Sequence, residues 1–411
     1  MAASQELTTD STTKRIPLPE IARMFFLLGI LGFGGPAAHI ALMENELVTR
    51  RAWLSREYFL DLLAAINLVP GPTSTEMALQ IGYVTAGFWG MMLAGAGFIV
   101  PAVVLSLGLA MLYTATGTAP AIQGILLGVR PVVLVLVLSA AYHLGIKAID
   151  NMPMRVLLAL ALIAVALDSA WLTGLFGFPP ITVSELALLL VTGTAYILWK
   201  YRPTQAISMV VPIFGLSALA QGIPTLPDLF WRFFVIGGTL FGSGYVLAAY
   251  MQRTFVDGLH WLTPQQLLNT LAIGQATPGP LLSTSAAAGY LITVQPGDVW
   301  SGVPGGIVAA VGVFLPAFIV VLILGRVVPL LRRYPIALDF LKGVNAGVIA
   351  LLIGTFASLA YSTVTQSGGD WLTLVLTVVA FVLLERYHWS PITLIAVGAV
   401  IGIGRVAIGL G

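Results

Sequence analysis

Apolar runs of about 18 to 25 residues recur from one end of this chain to the other, each long enough to cross a ~30 Å hydrocarbon core as a helix. Lipid offers no partner for backbone N–H and C=O groups, so such segments must bond internally as helices. A transmembrane barrel would instead show short segments of alternating polarity, and the sequence has no such pattern. Charged residues make up 9% of the 411 residues and hydrophobic ones 58%, whereas soluble domains carry roughly a quarter charged. A water-facing surface cannot be built from that supply. The expectation is an all-α polytopic membrane protein whose surroundings are the lipid bilayer. With no cysteine, disulfides, thiolate metal sites and thiol catalysis are excluded. A net charge of +2 is too slight to attract a nucleic acid.

An internal repeat sets the architecture. At a constant offset of 208 residues, Phe25, Phe26, Gly29, Phe33 and Gly34 match Phe233, Phe234, Gly237, Phe241 and Gly242. In the same register Trp53-Leu54 matches Trp261-Leu262, and Pro70-Gly71-Pro72 matches Pro278-Gly279-Pro280. Further along the offset becomes 215, with Gly97 against Gly312 and Gly128-Val129 against Gly343-Val344. Shared Leu and Ala could follow from biased composition, but a shared Phe-Phe-x-x-Gly, Trp-Leu and Pro-Gly-Pro in one order could not. The expected organisation is a polar cytoplasmic tail over 1–20, a first repeat over 21–205, a connecting segment or span over 206–227, and a second repeat over 228–411. The tail shows no apolar core of a signal peptide.

Apolar stretches lie near 21–42, 88–113, 120–143, 154–171, 181–199 and 206–220, then near 229–250, 302–325, 343–361, 371–384 and 391–409. Lys147 and Arg155, Lys200 and Arg202, and Arg326, Arg332, Arg333 and Lys342 mark basic connections, while those near 113–120, 172–180, 221–228 and 362–370 hold no Lys or Arg. Basic connections face the cytoplasm. The pattern is met if 57–87 and 264–295 each cross once as a helix broken at Pro-Gly-Pro, which inverts the halves and makes about 13 crossings. Arg50, Arg51 and Arg56 disagree, since that scheme puts them outside. A re-entrant hairpin at Pro-Gly-Pro would bring them inside but put either the N-terminal or the second-half basic loops on the wrong side.

Inverted repeats with discontinuous helices bind substrate near the midplane, where the repeats meet. Pro-Gly-Pro removes amide donors and redirects the chain through Gly71 or Gly279. New half-helices then begin at Thr73-Ser74-Thr75 and Ser283-Thr284, whose first amides lack intrahelical partners and whose dipole end is positive. Free N–H groups with hydroxyl donors suit a tetrahedral oxyanion; the plain alternative is a kink with hydroxyl caps. The glycine-rich stretches containing Gly34 and Gly35, and Gly242 and Ser243, can unwind the first span of each half, or serve close helix packing. Asn67 and Gln275 occupy matching positions three residues before Pro-Gly-Pro and offer amide donors. Arg130, replaced by Asn345 in the other half, can supply a fixed positive fork or snorkel to an interface. Glu76 follows the first Pro-Gly-Pro and has no acidic counterpart. Beside an anion it repels unless protonated, which makes it the candidate proton-coupling group; the alternative is a capping carboxylate. His39 reads as a structural residue.

Four motifs together resemble the chromate ion transporter family in its long two-domain form. They are Phe33-Gly34-Gly35-Pro36-Ala37-Ala38-His39-Ile40, Pro70-Gly71-Pro72-Thr73-Ser74-Thr75-Glu76, Phe241-Gly242-Ser243-Gly244-Tyr245-Val246-Leu247 and Gly274-Gln275-Ala276-Thr277-Pro278-Gly279-Pro280. The resemblance covers nearly the whole chain apart from the tail and the connection around 200–228. It implies a bacterial inner-membrane protein that exports chromate, confers chromate resistance and is driven by a proton gradient or anion exchange. Many members carry Gln before the first Pro-Gly-Pro and an amide after it, so Asn67 and Glu76 are departures that alter the charge of the pocket. Sulfate has the same shape as chromate and is the alternative cargo. An uncoupled anion channel could use the same helix ends. No phosphate loop of a primary pump and no zinc-hydrolase motif is present, so neither an enzyme, a metal site nor a cofactor is expected. The oligomeric state, a homodimer included, stays open.

Overall fold

The computed structural model describes residues 15–117, 119–168, 184–201, 224–241, 244–366 and 371–408. The apolar stretch near 206–220 and the pair Gly242-Ser243 lie outside the described residues. In the first repeat α1 is Leu18–Leu31, α2 is Pro36–Met43 continued by a π-helical stretch Glu44–Arg50, and α3 is Arg56–Ile66. The longer helices α4 (Thr73–Thr116), α5 (Pro120–Ala148), α6 (Met152–Asp168) and α7 (Glu185–Tyr201) follow. The second repeat opens the same way, with α8 (Leu226–Thr239), α9 (Val246–Met251, continued by a π-helical stretch Gln252–Gly258) and α10 (Pro264–Ala276). A 3-10 turn Leu281–Ser283 leads into α11 (Thr284–Thr293), then α12 (Val303–Arg333), α13 (Pro335–Gln366), α14 (Trp371–Tyr387) and α15 (Pro391–Ala407). Helices α4 and α5, with Val303–Gly325 of α12 and Pro335–Thr365 of α13, are long and apolar enough to cross a bilayer. The chain is thus a helical, multi-pass membrane protein.

The short helices do not run straight through, and this corrects two sequence expectations. Residues 21–42 were expected as one span, yet Gly34 (φ +101°) and Gly35 (φ +82°) take backbone angles that end α1 and restart the chain as α2. Continued in line, residues 20 and 51 would stand about 45 Å apart at 1.5 Å per residue. Instead the Arg51 guanidinium reaches Glu20 at 3.9 Å, so α1 and α2 form a hairpin. The Pro-Gly-Pro segment doubles back as well: Gly71 has φ +149°, and the far end of the next half-helix returns to the start of α1, where Ile16 N–H donates to Thr85 C=O at 3.4 Å. There α4 itself reverses, at Ala86 and Gly87 (φ +66°), and its two arms cross with Gly82 packed on Gly90. The second repeat copies this. Arg232, midway along α8, lies over the Trp261 ring, 5.2 Å from its centroid, and Gly289 packs on Gly305 between α11 and α12.

The helices sort into two bundles, each drawing on both repeats. One contains the four hairpins with the long arm of α4 and α12, where α1 packs on α4, α8 on α12, and α11 on both α4 and α12. Its close crossings are similar, Gly29 on Gly97 in one repeat and Gly237 on Val313 in the other. The other contains α5, α6, α7, α13, α14 and α15, held by the equivalent pairs α5–α15 and α7–α13. Gly128 there meets the backbone of Gly398 and Gly402, a small-residue contact that lets membrane helices approach closely.

The bundles meet unequally. Helix α5 covers α10, and every residue from Leu267 to Gly274 is buried. The equivalent α3 packs on α4, α12 and its own π-helical neighbour, leaving Leu60, Asp61, Ala64 and Asn67 exposed along one face. Leu60 is 48% exposed while its counterpart Leu268 is 0% exposed.

Candidate functional site

The breaks of the two repeats hold one another. Gly71 N–H donates to Leu240 C=O at 2.7 Å, and Gly279 N–H donates to Gly32 C=O at 2.6 Å. Residues 71 and 279, and 32 and 240, are equivalent at the repeat offset of 208, so each Pro-Gly-Pro bend is seated on the break between the first two helices of the other repeat. His39 serves the same joint. Its Nε2 lies 2.9 Å from Gly32 C=O and its ring stands edge-on to Phe98, which matches its reading as a structural residue.

New half-helices start from this joint. Pro72 C=O accepts from Thr75 N–H at 2.8 Å and Glu76 N–H at 3.0 Å, so the amides of Thr73 and Ser74 precede the first intrahelical acceptor. In the second repeat Pro280 C=O accepts from Ser283 N–H at 2.9 Å, leaving Leu281 and Leu282 in the equivalent position. Ser74, Thr75, Glu76, Ser283 and Thr284 are all buried. Donor groups of this kind, out of water and at positive helix ends, are suited to an anion.

Side chains make the two halves differ. On the second-repeat side a small pocket is lined by Gly244, Tyr245, Gln275, Leu281 and Thr284, with Val133, Leu136 and Val137 of α5 as the opposite wall. The Tyr245 hydroxyl is hydrogen-bonded to Gln275. Arg130 stands one turn before Val133 on the same face of α5, and its Nε donates to Asn269 Oδ1 at 3.3 Å. Asn269 Nδ2 in turn donates to the Tyr113 hydroxyl at 3.0 Å. On the first-repeat side Glu76 is fully buried. Neither of its carboxyl oxygens, nor the Thr75 hydroxyl, has a hydrogen-bond partner among the described residues. The carboxyl lies against Gly71, where an added Cβ would come within 2.5 Å of Glu76 Cδ.

The structure therefore brings Gly71, Thr73, Ser74, Thr75 and Glu76 to one side of the joint and Gly279, Ser283, Thr284 and Gln275 to the other, with Gly34 and Gly35 at the break of the first hairpin. Asn67 caps the exposed end of α3 and does not join Gln275 at the pocket. Gly242 and Ser243 fall outside the described residues, next to pocket-lining Gly244. Sequence reasoning missed Tyr113, Tyr245, Asn269 and Thr277, and also Ser106, whose hydroxyl contacts Thr277 and Ser283. The available signal was polarity in apolar helices, since Ser106 stands alone between Leu105 and Leu107. Among the described residues no group of three or more His, Asp or Glu is placed to hold a metal ion.

Paired discontinuous helices that meet at a shared, buried, donor-lined joint in a multi-pass helical protein define a membrane transporter. The chain belongs to the chromate transporter family, whose sequence profile matches residues 19–216 and again 227–403. It is 28% identical over 405 residues to the "Chromate transport protein" of Cupriavidus metallidurans, covering 96% of this chain and 94% of that one. It is 30% identical over 404 residues to the protein of the same description from Pseudomonas aeruginosa, covering 93% and 91%. The "Uncharacterized transporter YwrA" of Bacillus subtilis is 35% identical over 144 residues, which is 34% of this chain but 81% of that protein. No solved structure matches the chain.

Proposed function

We propose that this protein is a secondary transporter that exports chromate across the bacterial inner membrane, confers resistance to it, and draws on the proton gradient through Glu76. The observation that carries the reading is the reciprocal seating of Gly71 on Leu240 and Gly279 on Gly32, which sets each buried group of unpaired helix-start amides against the break of the other repeat. An ionised, unpaired carboxylate is costly in such a place. That suits a group that takes a proton before the site closes and returns it after the site opens.

The reading includes a topology. The two repeats, 21–205 and 228–411, lie inverted, with a span in 206–227 between them, and a curated relative the size of one repeat supports that division. Hairpins α1–α2 and α3–α4 dip in from the cytoplasm and return, and their counterparts dip in from outside. About nine full crossings remain: the long arm of α4, α5, α6, α7, the 206–220 stretch, and α12 to α15. All the basic connections then face inward, and so do Arg50, Arg51 and Arg56. Arg253 falls outside, paired with Asp168 at 2.7 Å.

Coupled transport is favoured over an open channel by the unequal bundle contact. The α3 face is uncovered on the cytoplasmic side while the α10 face is sealed, as expected of one state of an alternating cycle. The test is chromate uptake into inside-out vesicles, with and without a proton gradient and with excess sulfate. Saturable, gradient-driven uptake supports the exporter, and inhibition by sulfate shows a shared oxyanion site. Well-inserted protein without uptake overturns the cargo.

A further inference from the structure

We propose that the oxyanion binds on one side of the pseudo-symmetric joint only, in the second-repeat half-site, and that Ser106 of the first repeat is a positioning residue that aims the Ser283 hydroxyl at it. This rests on the oxyanion-transport reading and goes beyond it by naming the half that holds the anion. Ser106 is fully buried in an apolar stretch of α4, where a hydroxyl needs partners. Its O–H donates to Ser283 Oγ at 3.2 Å, and its oxygen lies 3.4 Å from Thr277 Oγ1. Thr277 in turn donates to Gly274 C=O at 2.9 Å. Among the described residues nothing accepts the hydrogen of Ser283. The hydroxyl relay therefore ends in an available donor beside the helix-start amides of Leu281 and Leu282 and the pocket lined by Gln275 and Thr284.

A polar track leads to this cluster. Tyr113 lies seven residues beyond Ser106 on the same face of α4, about 10 Å along the helix. There the Arg130–Asn269–Tyr113 chain holds a guanidinium, a fixed positive charge that favours an anion nearby. Arg130 shares its face of α5 with pocket-lining Val133 and Val137.

The equivalent positions of the other half keep the helix-start amides of Thr73 and Ser74 but lack the relay and the cation. Val321 replaces Ser106, Val69 replaces Thr277, Asn345 replaces Arg130, and Asp61 replaces Asn269. Thr75 replaces Ser283, and its hydroxyl is buried without a partner among the described residues. Glu76 replaces Thr284, setting a carboxylate where an oxyanion would be repelled. Two half-sites of common origin thus differ in both charge and hydrogen-bonding capacity, and one alone is built for an anion.

The experiment is calorimetric titration of purified full-length protein in nanodiscs with potassium chromate and with sodium sulfate, on wild type, S106V, S106T and V321S. Loss of the neutral hydrogen bond that orients Ser283 should weaken binding in S106V by about 3- to 10-fold. S106T, which keeps the hydroxyl, should stay within twofold of wild type. V321S, the matching change in the other half, should leave the affinity and a stoichiometry of one anion per chain unaltered. Affinity of S106V within twofold of wild type overturns the one-sided site, as does a second anion bound per chain. Loss of binding in both S106V and S106T also overturns it, because the position would then be felt through packing. If wild type binds neither anion, the oxyanion reading fails and this proposal with it.

Discussion

A single cysteine at position 60 tests whether the bare face of α3 lines a water-filled entrance. The chain has no cysteine of its own, so L60C, A64C, L268C and A272C each report from one position without background. Leu60 is 48% exposed and Leu268 0% exposed; Ala64 is exposed and Ala272 only 6% exposed. A thiol on α10 can react only when α5 lifts away from it. If that opening costs about 3 kcal/mol, the reactive population falls by roughly 150-fold. The assay is the rate of labelling by a membrane-impermeant maleimide in inside-out and right-side-out vesicles. L60C and A64C should label rapidly from the cytoplasmic side, with L268C and A272C slower by about a hundredfold. Under turnover with chromate the α10 positions should become reactive from outside as the opposite state fills. Equal rates at equivalent positions would refute the reasoning. Labelling of L60C by a lipid-soluble maleimide but not by the impermeant one would refute it too, because the α3 face would then be turned to lipid.

Glu76→Gln should abolish the response of chromate flux to an imposed proton gradient while leaving chromate binding measurable; gradient-driven flux in the variant would remove Glu76 from coupling. Gly279→Ala should cut transport sharply. Its φ of +90° strains an L residue by about 1–2 kcal/mol, and its Cβ would sit 2.8 Å from Ala102 Cβ, so wild-type flux at wild-type expression would contradict the seating of the bend. Gly128→Ala should lower thermal stability in detergent, because the new Cβ would stand 2.6 Å from Gly398 C with only backbone around it to yield. An unchanged melting temperature would mean that α5 and α15 do not cross there.

The comparison of sequence and structure turns on the short helices. Composition and run length predict long helices well, and α5, α12 and α13 fall where the apolar runs near 120–143, 302–325 and 343–361 place them. The run over 21–42 misleads because apolar content continues through Gly32-Phe33-Gly34-Gly35, and hydropathy does not register the backbone reversal. With both the first span and the Pro-Gly-Pro segment doubled back, the proposed topology sets the three arginines at 50, 51 and 56 on the side of the basic loops. They also carry their own partners: Arg50 pairs with Glu46 at 2.6 Å and Arg56 with Glu44 at 3.0 Å.

Lipid exclusion of unpaired backbone, read with the run lengths, determines from the sequence alone that this is a helical membrane protein. The repeat register determines that it is doubled, and Pro-Gly-Pro that each copy carries a break. Those properties depend on residues close together in the chain. Which break faces which, and which hydroxyl completes which half-site, depends on contacts such as Ser106 with Ser283, 177 positions apart. An offset of 208 makes the halves look equivalent. Only their packing lets α5 cover α10 and leave α3 bare, because what seals a helix face is a helix far away in the chain.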